Sequence, residues 1–352
     1  MDYKKEIDDL VSLVIKEGAS DLHLAEGRPP IIRVTGALIP LVKKSVLTAK
    51  DMQGFMDAFL PKESKAMLEK NKDADFSYAV TQARFRGNVF YRQGKLSIAL
   101  RLIPKVIRTL TELNLPPILE SFTRKPQGFF LVVGPIDQGK TTTLATLVEI
   151  INQTRTEHIL TIEDPIEFEF ESKKSIIDQR EVRIDTPSFE DALISMFRED
   201  INVCMVGEMR DISTISTAVT AAETGHLILA TLHTNNAAQT INRIIDTFPA
   251  DQQAQIRVQL AGSLTGIFSQ RLIPRISGGL IPAYELLINN NAVSNLIREN
   301  RIHEIDTVIE TSSQEGMIDL NRSLAELVRA GEITVENAYT NSMNAKVLER
   351  MI

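Results

Sequence analysis

Residues 129–141 read FFLVVGPIDQGKT, and this stretch decides the fold. Phe129–Val133 is a short apolar run of the kind that forms a buried strand, and a helical pattern follows over 140–153. The eight residues from Gly134 to Thr141 match the pattern GxxxxGK[ST]. They lie between a predicted strand and a predicted helix, which is the context that this pattern requires. The stretch therefore predicts a loop that binds phosphate groups.

The chemistry of such a loop explains the spacing of its residues. Glycines let consecutive backbone N–H groups curl around a phosphate, and the N-terminus of the following helix adds positive potential. Lys140 would reach the β- and γ-phosphate oxygens of ATP, and the Thr141 hydroxyl would ligate Mg²⁺. The alternative is a strand–turn–helix with incidental glycines. The candidate nucleotide-binding residues are Gly134, Pro135, Ile136, Asp137, Gln138, Gly139, Lys140, Thr141 and Thr142, with Thr141 as the metal ligand.

Acidic residues follow two further strand candidates. Glu208 comes two residues after the apolar run 203–206, and Glu163 directly follows the run 159–162. The carboxyl ends of parallel strands meet at one crevice, so both carboxylates are expected near the nucleotide, where one could orient water and the other support the metal. His233 lies near the carboxyl end of the run 227–231 and could sense the γ-phosphate. Solvated acids and a packed or capping histidine are the ordinary alternatives.

The order of predicted elements indicates the architecture. From residue 128 onward, apolar strand candidates alternate with helical patterns at 140–153, 188–198 and 211–223, which is typical of α/β domains with a mostly parallel sheet. Residues 1–103 show an amphipathic helix, short apolar runs and alternating strands, and predict a smaller α+β domain. We expect an N-terminal domain over 1–107, a proline-containing linker over 108–127 and an ATPase domain with C-terminal helices over 128–352.

Composition excludes several classes of protein. The chain has 352 residues, a formal net charge of −7 and a single cysteine. The charge argues against a nucleic-acid-binding face, and one cysteine excludes a disulfide framework or a four-thiolate zinc site. No apolar run approaches the ~18 residues of a membrane span, and the N-terminus shows no signal segment, so a cytoplasmic protein is expected. His23, His158 and His303 lack metal-ligand spacing, and we expect no metal beyond nucleotide-bound Mg²⁺.

Several stretches together resemble the PilT family of type IV pilus retraction ATPases, within the type II/IV secretion ATPase superfamily. The matching stretches are ASDLHL (19–24), RPPIIRVTG (28–36), RFRGNVFYR (84–92), GPIDQGKTTT (134–143), LTIEDPIEF (160–168), FREDINVCMVGEMRD (197–211), TGHLILATLHTNNAAQTINRIIDTFP (224–249), AVSNLIREN (292–300) and EGMIDLNRSLAEL (315–327). The resemblance implies a PAS-like N-terminal domain, a RecA-like ATPase domain and a homohexameric ring that hydrolyses ATP between subunits.

The resemblance also implies roles for individual residues. Gly134–Thr141 would be the Walker A loop, Glu163 the centre of the acidic box and Glu208 the catalytic Walker B glutamate. His226 and His233 would belong to the histidine box, although the position of His226 at the opposite end of its strand favours a structural role. Arg86 and Arg101 would be the N-domain arginines that reach the γ-phosphate. From the alternating strand pattern alone, both could equally be ordinary surface arginines.

Some residues depart from the family pattern. The loop usually reads GPTGSGKST, and here Asp137 replaces a glycine and Gln138 a serine. The signature near 292, usually close to AIRNLIRE, reads AVSNLIRE, and the preceding HEIM reads YELL (284–287). An accessory PilU-like retraction ATPase and a weakly hydrolytic structural ring subunit therefore stay open. An extension or secretion ATPase is disfavoured because the chain lacks a four-cysteine zinc insert, and a DNA translocase is disfavoured by its charge.

The prediction is thus a hexameric motor that hydrolyses Mg²⁺-ATP and powers pilus retraction and twitching motility. Its expected partners are its own copies and an inner-membrane pilus platform protein. We expect no nucleic acid partner. The predicted location is the cytoplasm, at the inner face of the cell membrane, with membrane association only through partners.

Overall fold

The computed structural model describes residues 2–34, 36–80, 83–103 and 106–352, with the side chain of residue 63 left aside. Contacts divide the chain into two compact units. The first comprises Met1–Val106 with Glu167–Glu169, and the second comprises Ile107–Ile166 with Phe170–Ile352. The domain boundaries predicted from the sequence stay a prediction.

The first unit is an α+β fold around an antiparallel sheet. Its elements are α1 (Tyr3–Lys16), β1 (Asp21–Ala25), β2 (Ile31–Val34), β3 (Ala37–Pro40), α2 (Ala49–Phe59), α3 (Lys62–Asn71), β4 (Asp73–Val80), β5 (Ala83–Arg92) and β6 (Lys95–Ile103). Among the described residues, the strand order is β3-β2-β1-β6-β5-β4.

Local sequence explains the helices of the first unit. Asp2 caps α1 by accepting from the Lys5 N–H, and the predicted apolar stripe is buried. A capping box at the start of α2 joins the side chain of Thr48 to the backbone of Asp51 and the side chain of Asp51 to the backbone of Thr48, a pattern that the local sequence T-x-x-D explains. In β5 the side chains alternate between buried and half-buried positions over Ala83–Phe90, as the polar–apolar alternation predicted.

The second unit is an α/β fold whose sheet is parallel except at one edge. Its elements are α4 (Glu120–Thr123), β7 (Gly128–Val133), α5 (Lys140–Thr154), β8 (His158–Glu163), β9 (Ile176–Glu181), α6 (Phe189–Met196), β10 (Val203–Val206), α7 (Ile212–Glu223), β11 (Leu227–Leu232), α8 (Ala237–Asp246), α9 (Gln253–Ser263), β12 (Leu264–Pro274), β13 (Leu280–Ile288), α10 (Asn291–Arg298), α11 (Ile305–Thr311), α12 (Leu320–Arg329), α13 (Val335–Asn341) and α14 (Ala345–Glu349). The described strands run in the order β13-β12-β7-β11-β10-β8-β9.

The central strands of this sheet are covered on both faces. Alternate residues of β7 enter different cores: Phe129, Leu131 and Val133 join one cluster, and Phe130 and Val132 join the other. Two-sided burial explains why this strand is a continuous apolar run rather than an alternating one. One edge of the sheet is formed by β9 and the opposite edge by β13, which pairs antiparallel with β12. Strands β12 and β13 were not among the elements predicted from the sequence.

Residues 108–127 contain buried side chains that belong to the second unit. Leu110, Leu115, Leu119 and Phe122 pack into the same core cluster as Phe130 of β7. This segment therefore contributes to the fold of the ATPase unit, although its prolines prevent a long helix.

The C-terminal part is helical, as predicted, and two glycines with positive φ lie between its helices. A 3₁₀ turn at Ser313–Glu315 ends at Gly316, which has a φ of 95°. Gly331 has a φ of 71° between α12 and α13. None of the described helices is long and apolar enough to cross a membrane.

Candidate active site

The loop 134–139 connects the end of β7 to the start of α5. Gly139 precedes α5 in the left-handed region, with a φ of 75°, and no side chain caps this helix. By contrast, α6, α7 and α8 begin with Ser188, Asp211 and Asn236, whose side chains accept a backbone N–H. The first N–H groups of α5 thus lack side-chain acceptors, which suits them to bind phosphate oxygens.

The Lys140 side chain folds back over the loop. Its Nζ atom donates to the carbonyl oxygens of Gly134, at 2.9 Å, and Pro135, at 2.6 Å. The residue is only 7% exposed. A buried ammonium group requires such acceptors, and phosphate oxygens are the acceptors that could replace them.

His233 connects Lys140 to Glu208. Its Nδ1 atom lies 3.1 Å from Lys140 Nζ, and its Nε2 atom lies 3.2 Å from Glu208 Oε1. Because an ammonium group can only donate, Nδ1 acts as the acceptor, and the ring proton is then on Nε2 and is donated to Glu208. One histidine thus joins the loop lysine to the acid that follows β10.

The Glu208 carboxylate is held in its ionised form. Burial works against ionisation, but hydrogen bonds from Arg210 and His233 outweigh it and hold the pKa of Glu208 below its usual range. The Arg210 Nη2 atom lies 2.6 Å from Glu208 Oε2. An ionised carboxylate at this position can accept a proton or orient a water molecule.

Glu163 ends β8, the neighbour of β10 in the sheet. It is 2% exposed, and its Oε1 atom accepts from Thr161 Oγ1 at 2.7 Å and from Gln179 Nε2 at 3.2 Å. Gly207 lies against the end of β8, where a Cβ would be 3.2 Å from the Ile162 carbonyl oxygen. The two acids therefore follow neighbouring strands at the same edge of the sheet, as topology predicts.

The remaining residues of the phosphate loop and the first turn of α5 differ in their exposure to solvent. Thr141 and Thr142 are half-buried in the first turn of α5, and Ile136 is 70% exposed. Asp137 is exposed and has a φ of 60°, in the left-handed region that aspartate tolerates better than most residues. No hydrogen bond or ion pair joins its carboxylate to the described part of the chain.

Arg86 and Arg101 lie in the first unit, directly opposite each other on β5 and β6. Arg101 Nε donates to Asp21 Oδ1 at 2.9 Å, and the Arg101 side chain remains 69% exposed. Asp21 is buried, which opposes its ionisation, but hydrogen bonds from Ser20 and Arg101 hold its pKa below the usual range. Asp21 was not among the residues predicted from the sequence, because no local pattern pairs it with an arginine 80 positions further along the chain.

Two other residues, His226 and Cys204, have environments that indicate structural roles. His226 precedes β11, away from the loop, and its Nδ1 atom lies 3.1 Å from the Ala221 carbonyl oxygen. Cys204 is fully buried in β10, and burial raises the pKa of its thiol well above the usual range. A thiol in this state is an inert core group.

A cavity of about 420 Å³ lies beside the loop. Its lining combines apolar and polar side chains with the first turn of α5, and includes Arg108, Leu113, Asn114, Thr142 and Leu272. Both its size and its mixed lining suit a small organic ligand.

Sequence reasoning also missed Gln270, which lies on the unpredicted strand β12. Gln270 is 2% exposed, and its side chain contacts Gln138 of the loop and Thr143 of α5. These contacts span more than a hundred positions in the chain, so no local pattern could have indicated them.

The fold and the site together define a class of protein. A parallel sheet with a phosphate loop after one strand and carboxylates after two others, in a chain that also contains a smaller α+β unit, is the architecture of a RecA-like P-loop nucleoside triphosphatase.

Comparisons with known proteins place the chain within this class. The family model described as type II/IV secretion system protein matches residues 3–282. The type IV pilus retraction ATPase PilT of Pseudomonas aeruginosa is 42% identical over 334 residues, which cover 95% of this chain and 97% of the relative. The type IV pilus ATPase PilU of the same organism is 37% identical, with 99% and 91% covered.

A solved structure agrees with these relatives. The crystal structure of the pilus retraction motor PilT with bound ADP superimposes with a TM-score of 0.92 and 44% identity, covering 97% of this chain and 98% of that chain. The chain belongs to the type II/IV secretion system protein family and, within it, to the PilT family of nucleotide-binding ATPases.

Proposed function

We propose that this chain is a homohexameric motor that hydrolyses Mg²⁺-ATP and powers the retraction of type IV pili. The observation that carries the proposal is the connected set Lys140–His233–Glu208, which joins the phosphate loop to the acid after β10. This set lies in a chain that is 42% identical to a pilus retraction ATPase over nearly its full length.

Within this proposal, each residue of the site has a separate role. Lys140 and the N–H groups of the loop and of α5 bind the phosphates. Glu208, ionised and exposed to solvent on part of its surface, accepts the proton of the attacking water. Glu163, held by Thr161 and Gln179, orients that water or the water shell of the metal.

The chemistry of the loop fits a magnesium ion. The Thr141 hydroxyl has no hydrogen-bond partner among the described residues, and oxygen ligands are the ones that Mg²⁺ prefers. Thr141 would hold the ion, with Glu163 and Glu208 contacting its water shell. A magnesium ion held there would supply positive charge against the charge that develops on the phosphate oxygens.

His233 provides a connection between nucleotide arrival and the catalytic acid. Without nucleotide, Lys140 donates to two loop carbonyls and to His233. When phosphate oxygens take over the ammonium group, the Nδ1 atom of His233 loses its donor and the ring can turn. The hydrogen bond from His233 to Glu208 would then respond to the state of the nucleotide.

The remaining parts of the motor follow from the family. Arg86 and Arg101 would stabilise the charge on the γ-phosphate across an interface between domains of the ring. The 420 Å³ cavity beside Gly139 and Thr142 would receive the nucleoside. Hydrolysis would change the angle between the N- and C-terminal domains, and that motion would drive an inner-membrane platform protein at the base of the pilus.

Complementation of a strain that lacks its retraction ATPase tests this proposal. The wild-type chain should restore twitching motility, and Glu208→Gln, expressed at the same level, should not. If the wild-type chain failed there but restored twitching to a strain that lacks only the accessory ATPase, the PilU-like function would replace the proposal.

A phosphate-release assay on the purified chain separates the motor from a structural ring subunit. The motor hypothesis requires ATP turnover that Glu208→Gln abolishes. Turnover no greater than that of Glu208→Gln would identify a ring subunit that binds nucleotide without hydrolysing it.

A further inference from the structure

Two glutamines far apart in the chain connect the phosphate loop to the strand beside it. Gln138 lies within the loop, next to the exposed Asp137, and Gln270 lies in the buried middle of β12. Gln270 Nε2 donates to the Gln138 carbonyl oxygen, and Gln270 Oε1 accepts from Thr143 Oγ1 at 2.7 Å. One buried carboxamide thereby connects the loop to the first turn of α5.

The side chain of Gln138 makes a second connection in the opposite direction. Its Oε1 atom accepts from the Leu272 backbone N–H at 2.7 Å. Strand β7 pairs with β12 only as far as Val133 and Ser269, so the Leu272 N–H lies beyond the end of that ladder. Leu272 is half-buried, and leaving its strand N–H without a partner would cost free energy, so the carboxamide of Gln138 satisfies a donor that the ladder does not.

Gln270 also contacts the two glycines at the ends of the loop. A Cβ on Gly134 would lie 2.4 Å from the Gln270 carbonyl oxygen, and a Cβ on Gly139 would lie 3.1 Å from Gln270 Nε2. The loop therefore rests on Gln270 at both ends, and glycine at these two positions is what permits the close approach.

We propose that Gln138 and Gln270, here called the glutamine pair, are positioning residues that hold the phosphate loop in its nucleotide-binding shape before nucleotide arrives. The three hydrogen bonds hold the loop directly after Asp137, and Gln138 Nε2 also donates to the Ile136 carbonyl oxygen before it, at 3.2 Å. They fix the backbone of the loop without any contribution from the Asp137 carboxylate. A preordered loop does not have to lose conformational entropy when it binds, and this difference appears as affinity for nucleotide.

The length of the Gln138 side chain decides this role. A serine at 138 is two bonds shorter and cannot reach the Leu272 N–H from the same backbone position. The Gln138→Ser variant should therefore remove the hydrogen bond to the Leu272 N–H without changing the charge of the loop, whereas the bond from Gln270 to the carbonyl oxygen of residue 138 remains. The exposed Gln252 at the start of α9 makes no capping hydrogen bond, so Gln252→Ser is a matched control.

The test combines hydrogen exchange with nucleotide binding on the full chain. Without nucleotide, exchange of the amides over 134–139 should be about tenfold faster in Gln138→Ser than in wild type. ADP affinity should fall by about fivefold to tenfold, the effect of one or two net hydrogen bonds. In turnover, the KM for ATP should rise while kcat and the unfolding temperature stay close to wild type, which a general loss of structure would not produce.

A second variant shows whether the effect comes from the lost hydrogen bonds or from misfolding. Gln270→Met keeps the volume of the side chain and removes its two hydrogen bonds, and it should give the same increase in exchange and in KM. Unchanged loop exchange in Gln138→Ser would overturn the proposal, and so would faster exchange with unchanged ADP affinity. The inference takes the loop as the nucleotide site from the proposed function. If wild type failed to bind ADP, that function would fail, and loop exchange would still decide whether the glutamine pair orders the loop.

Discussion

Burial raises the pKa of the Glu208 carboxyl group, whereas hydrogen bonding lowers it. The donors Arg210 and His233 dominate, so the carboxylate is ionised at neutral pH and retains a proton-accepting function. Glu163 has a different environment, 2% exposed and bonded to Thr161 and Gln179. This contrast favours Glu208 as the group that contacts the attacking water and Glu163 as a supporting group.

Substitution separates binding from chemistry at this site. Lys140→Ala should weaken nucleotide binding, because the phosphates lose their cation. Glu208→Gln should bind ATP and lower kcat by ~10²–10⁴-fold, the usual contribution of a general base. ADP titration and steady-state turnover measure both effects, with Glu310→Gln on the exposed face of α11 as control. Near-normal turnover in Glu208→Gln would transfer the role to Glu163.

Asp137 presents a negative charge where the phosphates are expected. Its carboxylate is exposed and has no partner among the described residues, so solvent reduces its repulsion of the nucleotide. Asp137→Gly and Asp137→Asn should both tighten ATP binding by roughly threefold to tenfold at low salt, and by less at high salt. Calorimetry at matched Mg²⁺ measures this.

The asparagine variant of residue 137 isolates the charge, because asparagine also tolerates a φ of 60°. If only the glycine variant tightened binding, backbone strain rather than charge would be responsible. Equal or weaker affinity in both variants would mean that the carboxylate helps to organise the loop or the metal.

At the scale of elements, Glu285 of β13 connects the sheet to α8. Its Oε1 atom accepts from the Ala237 N–H at 2.7 Å, at the start of the helix that follows the His233 loop. Ser269 Oγ on the neighbouring strand donates to the Asn235 carbonyl oxygen at 3.0 Å. The loop that presents His233 is therefore held from β12 and β13, next to the glutamine pair.

The free energy of unfolding should depend on pH through the ionisation of Glu285. Burial raises the pKa of Glu285 to about 7, with Asp306 and Asp319 acting in the same direction and the Ala237 N–H and Arg271 against it. Folding favours the protonated form of Glu285. The resulting stabilisation of the fold is fully present below the pKa of Glu285 in the unfolded chain, and it is lost as pH rises through the pKa of Glu285 in the folded protein. Between pH 4.5 and 7 the free energy of unfolding should fall by up to about 3 kcal/mol.

Denaturant titrations at several pH values measure this slope. Glu285→Gln cannot ionise and should lose this part of the pH dependence, and the difference between the two proteins removes the contribution of all other groups. If the free energy of unfolding changed with pH in the same way in wild type and in Glu285→Gln, Glu285 would not have a raised pKa in the folded protein.

For the whole molecule, the roles proposed for Arg86 and Arg101 would require the two units to come together in the proposed ring. Both belong to the first unit, whereas the phosphate loop belongs to the second. Arg101 is also bonded to the buried Asp21, so its removal affects the first unit itself.

Arg86→Ala should therefore be the cleaner variant. It should lower kcat by an amount below the ~10³–10⁵-fold of a single arginine finger, because two arginines share the work, and it should leave ADP affinity and unfolding temperature unchanged. Arg101→Ala should lower both kcat and stability. Arg92→Ala, at the exposed end of β5, is the matched control. Turnover in Arg86→Ala equal to that of the control would exclude a role for Arg86 in hydrolysis.

Features whose residues are neighbours in the chain could be predicted from local sequence. The phosphate loop, the apolar strand before it and the capping box at Thr48 are local patterns, and each could be predicted because its chemistry acts over a few residues. The edge of the sheet that carries Glu163, Glu208 and His233 could also be predicted, because topology brings the carboxyl ends of parallel strands together.

The contacts between residues that are distant in the sequence could be known only from the tertiary structure. The contact of His233 with both Lys140 and Glu208, the pKa of Glu285 and the support of the loop by Gln270 all depend on distances between residues far apart in the chain. Strand β12 had no clear sequence signal, so Gln270 could not be placed beside Gln138. Hydrogen bonding and desolvation act over a few ångströms, and only folding brings such residues that close.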